Sequence, residues 1–509
     1  MYDDLNKKYA KKIISKETLL KKIGVFPRKN KVIMCHGVFD VVHPGHIRHL
    51  AFAKTKADIL IASVTCDKFV SKGKYRPHIP ENLRAYSLSA FDMVDYVIID
   101  ENQTPITNLQ FIKPDLFAKG FEYSDDLPLE TTKEIETMDS YGGEVLFSPG
   151  DIIYSSSNLL NNHLPNISHE KLRSLMGQCK ITINGLINSI KLFKDLKVHV
   201  IGDTIVDTYT RTTLVGGNIK TPTFSVLYGG HDDYLGGAGV VARHLSAAGA
   251  KVFFTSVVGN DKLGNYVAEE LKKDNLESNL IVDENRPTTN KNAIIAEGYR
   301  LLKVDTLDNS PINNKILQNL CDSIEKVECD AIIFSDFRHG IFTKSSIQKL
   351  VASIPKNTFK IADSQVASRW GNITEFLNFD LVTPNEREAR FALADQDSNI
   401  GLLATNIQKD TNCKNVILKL GDKGLFFLND EMYHSVDSFA TNVKDAVGAG
   451  DALLAYSSLM MLSNESSLAS ACIVGAAAAA LECEFDGNIP INASSLINKL
   501  KTIDDNLIK

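Results

Sequence analysis

Two doubly wound α/β domains in tandem are the architecture that this sequence predicts, and three observations carry the prediction. Strand-length apolar runs alternate with helix-length stretches along most of the chain, the pattern of parallel sheets with helical crossovers. That pattern begins twice, at KVIMCHG (residues 31–37) and again at VHVIGD (198–203). A chain of 509 residues is also longer than one hydrophobic core sustains, so two or three domains are required.

Taken in order, residues 1–24 carry an amphipathic helical pattern with Leu19, Leu20 and Ile23 as its buried stripe. The strand at 31–37 follows, then a turn, then a helix from about Pro44. Apolar runs at 59–64 and 96–99 supply further strands, separated by helical segments. In a sheet of this kind ligands gather at the carboxyl ends of the strands. Residues 160–197 change character: they are rich in Asn and Lys, lack strand signals and contain one helical stretch, 181–196. The division expected is therefore a first domain over 1–160, a linker with a connecting helix over 161–196, and a second domain over 197–509. The second domain starts with the strand at 198–203. Gly-rich turns, a helix over 237–248 and strands at 251–257, 331–334, 360–363 and 416–419 follow.

Composition narrows the function classes. Hydrophobic residues make up 44% and charged residues 23%, as in ordinary globular proteins, and the net charge is -6. No polybasic surface exists to hold nucleic acid or acidic lipid. The eight cysteines are scattered without a C-x-x-C pair, which argues against structural zinc and a disulfide framework and for reduced intracellular thiols. The N-terminal stretch is polar with no apolar signal core, and the longest apolar run, around 471–481, is too short and Ala-rich to span a bilayer. A cytoplasmic protein with no membrane partner is expected.

Two short segments carry phosphate chemistry. In the first, Gly37-Val-Phe-Asp40-Val-Val-His43-Pro-Gly-His46, a sharp turn joins a strand to a helix. The two histidines, with the helix N-terminal amides, would stabilise charge growing on a triphosphate as its α-phosphorus is attacked. Gly37 and Gly45 would let phosphate approach the backbone. Alone, so short a pattern reads equally well as two surface histidines at a helix start. The second segment, Asp445-Ala-Val-Gly448-Ala449-Gly450-Asp451, feeds small residues and one carboxylate into a helix. The amides of Gly448, Ala449 and Gly450 would form an anion hole for a γ-phosphoryl group, and Asp451 would accept the proton of an attacking hydroxyl. No G-K-S/T follows, so this is not a Walker loop; the plainer reading is a glycine cap with an acid well placed for the helix dipole.

The surroundings of the first segment extend its meaning. CHGVFDVVHPGHIRHLAFAKTKADILIASVTCD, KGKYRPHIPENLRAYSL, the VDYVI strand and IKPDLFAKGFEY resemble the H-x-G-H nucleotidyltransferase superfamily, in its cytidylyltransferase-like branch. They are most similar to the nucleotidyltransferase domain of the bifunctional heptose kinase/adenylyltransferases of lipopolysaccharide precursor synthesis. The resemblance covers about residues 28–160 and implies a Rossmann-like domain. It implies that His43 and His46 stabilise the triphosphate, with Gly37 and Phe39 beside the nucleotide. Lys72 and Arg76 would clamp phosphates, and Arg84 would order the loop or contact phosphate. Ser155, Ser156 and Ser157 would open a phosphate-binding helix start, with a plain helix cap as the alternative. Lys119 and Gly120 would border base and sugar. Where those enzymes read K-G-G-D-Y this chain has Lys119-Gly-Phe121-Glu122-Tyr123, which leaves the sugar and the choice of ATP or CTP open.

The second segment has a similar setting. The Gly236-Gly237 turn, Ser335-Asp336, Thr383-Pro-Asn385-Glu-Arg-Glu388 and Leu420-Gly421-Asp-Lys-Gly424 resemble the ribokinase-like (PfkB) sugar kinases over roughly residues 197–500. The resemblance implies that Asp451 is the base and that Asn385 and Glu388 organise Mg²⁺ and phosphates, Glu388 being the metal residue. It places Lys419 and Gly421 at the ATP site, and Asp207, Gly236, Gly237 and Asp336 toward the sugar. Three positions depart from the family pattern: Val240 replaces Asn, His339 replaces Lys, and Asp363-Ser-Gln365 replaces D-P-K.

Together the resemblances imply a bifunctional enzyme of nucleotide-activated sugar synthesis, with domain order reversed relative to the familiar heptose enzymes. One half would phosphorylate heptose 7-phosphate at the anomeric oxygen with ATP. The other would join a sugar 1-phosphate to a nucleotide, releasing pyrophosphate. Both need Mg²⁺, the partners are sugar phosphates and nucleotides, and a homo-oligomer (a dimer) is implied. Two alternatives stay open: the same chemistries on another sugar or a polyol with CTP, or a kinase half that only binds ligand and regulates the transferase.

Overall fold

The computed structural model describes residues 8–70, 76–120, 129–148, 168–217, 224–274, 276–366, 371–430, 432–463, 467–485 and 487–508. The chain forms two compact units: Met1–Lys171 with Asp397–Leu402, and Leu172–Gln396 with Leu403–Lys509.

The first unit is built on strands β1 (Val32–Gly37), β2 (Ile59–Thr65), β3 (Tyr96–Asp100), β4 (Leu116–Lys119) and β5 (Glu144–Phe147). They pair in the order β3-β2-β1-β4-β5, all parallel. Alternate residues of β1 fill opposite sides: Ile33 and Cys35 enter one core cluster, Val32 and Met34 the other. Burial on both faces is why these strands read as unbroken apolar runs. The helix Lys16–Ile23 is capped by Ser15, which accepts from the Thr18 amide, and it buries Leu19 and Ile23, whereas Leu20 stays partly exposed. Strand order reverses between β1 and β4, so the crevice for a ligand lies beyond their carboxyl ends.

The second unit contains β6 (Lys197–Gly202), β7 (Thr204–Gly217), β8 (Phe224–Gly237), β9 (Lys251–Gly259), β10 (Glu277–Asp283), β11 (Asn290–Ala296) and β12 (Tyr299–Thr306). It continues with β13 (Ala331–Asp336), β14 (Phe359–Ser364), β15 (Leu381–Val382), β16 (Asn415–Lys419), β17 (Leu425–Asn429) and β18 (Tyr433–Val436). Nine of these form one sheet, β10-β9-β6-β13-β14-β15-β16-β17-β18, parallel as far as β16 and antiparallel beyond it. The apolar run around 471–481 is core: the helix Leu468–Glu482 is buried along nearly its whole length.

Two features differ from the sequence expectation. Residues 161–196 were expected to connect. Their described part carries helices Ser168–Gln178 and Ile183–Lys191, whose Leu172, Leu175, Ile183, Leu186 and Ile190 lie in the second unit's core. And the Gly-rich stretch after residue 203 is no run of turns: β7 and β8 form a long antiparallel hairpin within a separate sheet, β12-β11-β7-β8. Every residue of β12 is exposed, so no apolar stripe marks that strand in the sequence.

Candidate active sites

In the first unit, β1 runs through a tight turn into the helix Pro44–Lys54. His43 is the helix N-cap; its Nδ1 accepts from the Gly45 amide at 3.1 Å. That bond fixes the neutral ring with its proton on Nε2, leaving Nε2–H as a donor. Burial, then the nearby Arg48, lowers the His43 pKa and keeps the ring neutral at pH 7. The rings of His43 and His46 lie 4.0 Å apart, as the H-x-G-H spacing predicts, and Phe39 flanks His46 at 5.2 Å. The room beside Gly37 is used by protein: a Cβ there would meet the Phe39 ring at 3.3 Å, and Phe39 itself holds a left-handed φ of 50°.

Asp40, which the sequence reading passed over, anchors the next segment. Its Oδ1 accepts from the amides of His78 (2.8 Å) and Ile79 (2.9 Å), tying the turn to the stretch that carries the half-buried Arg76. Lys72 and Ser155, Ser156 and Ser157, with Phe121 and Glu122, lie outside the described residues. Of the two roles expected for Arg84, the geometry matches loop ordering and not phosphate contact. Its guanidinium is 1% exposed and donates to the carbonyls of Ile79, Val38 and Thr65 and to Asp67 Oδ1. Replacing it by methionine strands the Asp67 carboxylate and three carbonyls, and is expected to cost about 3–5 kcal/mol. Urea unfolding of the full chain followed by circular dichroism measures this; an unshifted transition would show that the network carries no stability.

Lys119, expected to face the substrate, ends β4 with its ammonium paired to Glu134 and 3.1 Å from Thr131 Oγ1; Gly120 follows it. At the carboxyl ends of β1 to β3 the half-buried His36 links Ser63 Oγ (3.0 Å) and Thr65 Oγ1 (3.2 Å), with Asp100 at 3.6 Å. Burial holds its pKa down to about 3, so it serves as a neutral strut.

In the second unit the helix Ala449–Leu462 starts at Gly448, whose φ of 87° only glycine adopts readily. Ala449, Gly450 and Asp451 form its first turn; the Ala449 and Asp451 amides donate to the carbonyls of Ala446 (3.4 Å) and Gly448 (2.9 Å), and the Gly450 amide has no partner among the described residues, at a positive dipole end. Burial first, then repulsion from Asp363, pushes Asp451 up to about 7 against the opposing pull of Lys419. A carboxylate titrating there suits a general base at neutral pH. Around it converge Lys419 from the end of β16, Asp363 from the end of β14, and Glu388. Lys419 Nζ lies 2.6 Å from Asp363 Oδ1, and Thr383 Oγ1 donates to the same oxygen at 2.7 Å. Gly421 opens the turn that follows β16, at a φ of 64°.

Asn385 and Glu388 form a capping box: Asn385 Oδ1 accepts from the Glu388 amide (2.8 Å), and Glu388 Oε2 accepts from the Asn385 amide (2.7 Å). This makes Glu388 first a helix cap, with burial and Asp363 raising it to about 7. Among the described residues no group of three or more His, Cys, Asp or Glu is placed to hold a metal. Asp336, expected to face the sugar, is enclosed instead. It is 1% exposed, accepting from the Arg338 amide and Ser364 Oγ at 2.8 Å each and pairing with the Arg338 guanidinium at 3.0 Å. Val240 and His339 are buried too, so two of the three departures lie within packed structure.

A cavity of about 450 Å³ lies against the separate sheet, lined by Asp207, Tyr209, Lys291, Arg300, Lys303 and Val447, with Ala293, Leu301 and Leu302. Val447 directly precedes Gly448, so the cavity extends to the residue before the N-cap of the helix Ala449–Leu462. Gly236 leaves room for the Asp207 carboxylate, whose Oδ2 lies 2.2 Å from where a Cβ would be; at Gly237 a Cβ would fall 2.4 Å from the Asp203 carbonyl, at a φ of 60°. Lys291, Arg300 and Lys303 were not singled out from the sequence. Register brings them together: Lys291 pairs across strands with Asp207, and Lys303 with Ala293. The available signal was Glu297-Gly298, a hairpin turn between two strand-length runs, with φ of 51° and 84°.

A carboxylate in the first turn of a helix start, beside a cavity lined by cations, suits phosphoryl transfer to a small molecule. Residues 195–492 match the pfkB family of carbohydrate kinases, and the chain belongs to that family. Residues 34–158 match the cytidylyltransferase-like family. The bifunctional protein HldE of Helicobacter hepaticus is 29% identical over 323 residues, covering 62% of this chain and 66% of the relative. HldE of Helicobacter pylori J99 is 30% identical over 293 residues, covering 56% of this chain and 62% of the relative. The chain thus spans less than two thirds of the length of these curated relatives. Among solved structures, phosphofructokinase-2 from Escherichia coli in complex with potassium superposes with a TM-score of 0.52 at 17% identity, covering 61% of this chain and 99% of that one. That likeness shows the fold. No helix among the described residues is long and apolar enough to cross a membrane.

Proposed function

We propose that the chain is a bifunctional enzyme that makes a nucleotide-activated heptose. The kinase half transfers the γ-phosphoryl group of ATP to the anomeric oxygen of heptose 7-phosphate, with Asp451 taking the hydroxyl proton. The nucleotidyltransferase half joins the resulting sugar 1-phosphate, after a separate phosphatase has acted, to a nucleotide and releases pyrophosphate at His43 and His46. One observation carries the choice of a phosphorylated sugar: three cationic side chains, Lys291, Arg300 and Lys303, line a cavity that also holds Asp207 and Val447, the residue before Gly448. A neutral sugar needs hydrogen-bonding partners there, whereas a remote phosphate needs this charge.

Mg²⁺ would accompany the nucleotide. Asp363, Glu388 and Asp451 crowd one ammonium, and Asp363 raises the proton affinity of the other two, an excess of negative charge that a metal–nucleotide complex would offset. Glu388 would hold it, and the metal would neutralise charge on the transferring phosphorus. A cytoplasmic location, a homodimer, and sugar phosphates and nucleotides as the only partners complete the reading.

The test is product analysis of the full chain with Mg²⁺, ATP or CTP, heptose, heptose 7-phosphate and heptose 1-phosphate. ADP from heptose 7-phosphate and pyrophosphate from heptose 1-phosphate are expected. Lys303→Met should raise KM for heptose 7-phosphate about 10- to 100-fold, the worth of a charged hydrogen bond, with far less effect on free heptose. Equal ADP release from heptose and its 7-phosphate would rule out a phosphate-selecting cavity.

A further inference from the structure

Lys419 stands at the centre of the kinase site with most of its bonding capacity unused. It ends β16, its side chain is 13% exposed, and among the described residues its ammonium makes one hydrogen bond, to Asp363 at 2.6 Å. An ammonium has three N–H donors, so two remain. Burying a charge with so few partners is costly unless something else completes its shell. The direction of that missing partner is set by the neighbours. A Cβ at Gly450 would lie 3.7 Å from Nζ, which puts the ammonium against the turn that presents its amides to an anion.

The groups facing Lys419 are Asp363 from β14, Glu388 from the helix Glu386–Leu393 and Asp451 from the helix Ala449–Leu462. Glu388 is engaged by Asn385, through its amide and its side-chain nitrogen. Burial alone would lower the lysine pKa, but these carboxylates outweigh it and the charge is kept. The end of β14 offers no cation of its own, since position 365 is Gln.

We propose that Lys419 binds the γ-phosphoryl group of the nucleotide with its remaining N–H donors, adding a full positive charge to the anion hole of residues 448–450. The proposal rests on the kinase reading of this half and names the side chain that distinguishes a triphosphate from a diphosphate. Amide dipoles hold an anion through partial charges, and a fixed ammonium strengthens that hold most where the γ-oxygens sit.

The test compares dissociation constants for ADP and the non-hydrolysable analogue AMP-PNP, with Mg²⁺, by calorimetry on the full chain. Lys419→Met should weaken AMP-PNP about 10- to 100-fold and ADP by less than about threefold, the scale of a lost charge-assisted hydrogen bond. Lys419→Met leaves the buried Asp363 unpaired and can unfold, so Lys419→Met/Asp363→Asn, which removes both charges, is measured beside it. The same selective loss in the double variant supports the γ-phosphoryl contact. Equal weakening of both nucleotides, or none, overturns it, since a purely structural ion pair cannot tell ADP from its triphosphate analogue. A parent that binds AMP-PNP more tightly than ADP yet phosphorylates no sugar would defeat the kinase reading, and the ratio in the variants would still decide the Lys419 contact.

Discussion

Asp451→Asn is expected to lower kinase turnover by about 10³-fold while pyrophosphate release by the other half continues at the parent rate. The loss falls within the range that a positioned general base contributes. Asparagine keeps the size of the side chain and its place in the first helical turn, so the anion hole survives and only proton acceptance is removed. The pH dependence makes the assignment specific. Burial and Asp363 raise the carboxyl to about 7, with Lys419 pulling the other way and Asp207 and Glu388 adding to the rise. Kinase kcat/KM should therefore climb as pH rises through about 7 and then level. A profile flat from pH 6 to 8 would remove Asp451 from the role of base. Stability should move opposite to activity. A carboxyl whose folded pKa lies above its unfolded value near 4 costs stability that is fully present above pH 7 and fades as pH falls toward 4. The asparagine variant should thus unfold at a higher temperature than the parent at pH 8, with the difference gone near pH 4. Catalytic sites commonly carry such a cost.

What the sequence disclosed follows burial and contiguity. β1, β6 and β13 are enclosed on both faces, so their apolar runs stand out whatever surrounds them. β7, β8, β11 and β12 belong to a sheet with much of its surface in solvent, where polar and apolar residues mix and no period marks the strands. The sites divide in the same way. His43 with His46, and Gly448 with Asp451, lie within a few residues of each other, and one helix start brings each set together. The cationic cavity draws Lys291 and Lys303 from two strands whose register alone makes them neighbours of Asp207. Asp336 shows the opposite error. Its place beside the site is clear from the sequence, but only Arg338 folding back at a left-handed φ of 63° reveals that its carboxylate is engaged within the protein. Likewise a capping box and a metal site ask for the same Asn385 and Glu388, and the hydrogen bonds show the capping role.

His43→Ala and His43→Asn are expected to separate helix capping from catalysis in the nucleotidyltransferase half. His43 does two things at once: its Nδ1 caps the helix by accepting from the Gly45 amide, and its Nε2–H is left as a donor for a phosphate oxygen. Alanine removes both. Asparagine is among the best N-cap residues and restores the bond to the helix start, but its shorter side chain cannot put a donor where Nε2–H lies. Loss of one preorganised donor to a developing oxyanion costs about 10²- to 10³-fold in turnover. Both variants should therefore lose pyrophosphate release by that factor. Asparagine alone should recover the thermal stability that alanine loses, about 1 kcal/mol for a cap of this kind. Kinase turnover, carried by the other unit, serves as the internal control in each preparation. Recovery of pyrophosphate release in the asparagine variant would mean that His43 acts through the helix start alone. The triphosphate would then be met by His46 and the first-turn amides. With the ring neutral, held so by burial and Arg48, the loss in the variants should be the same at pH 7 and pH 8. A deficit that shrinks over that interval would instead mean that His43 contributes as an imidazolium.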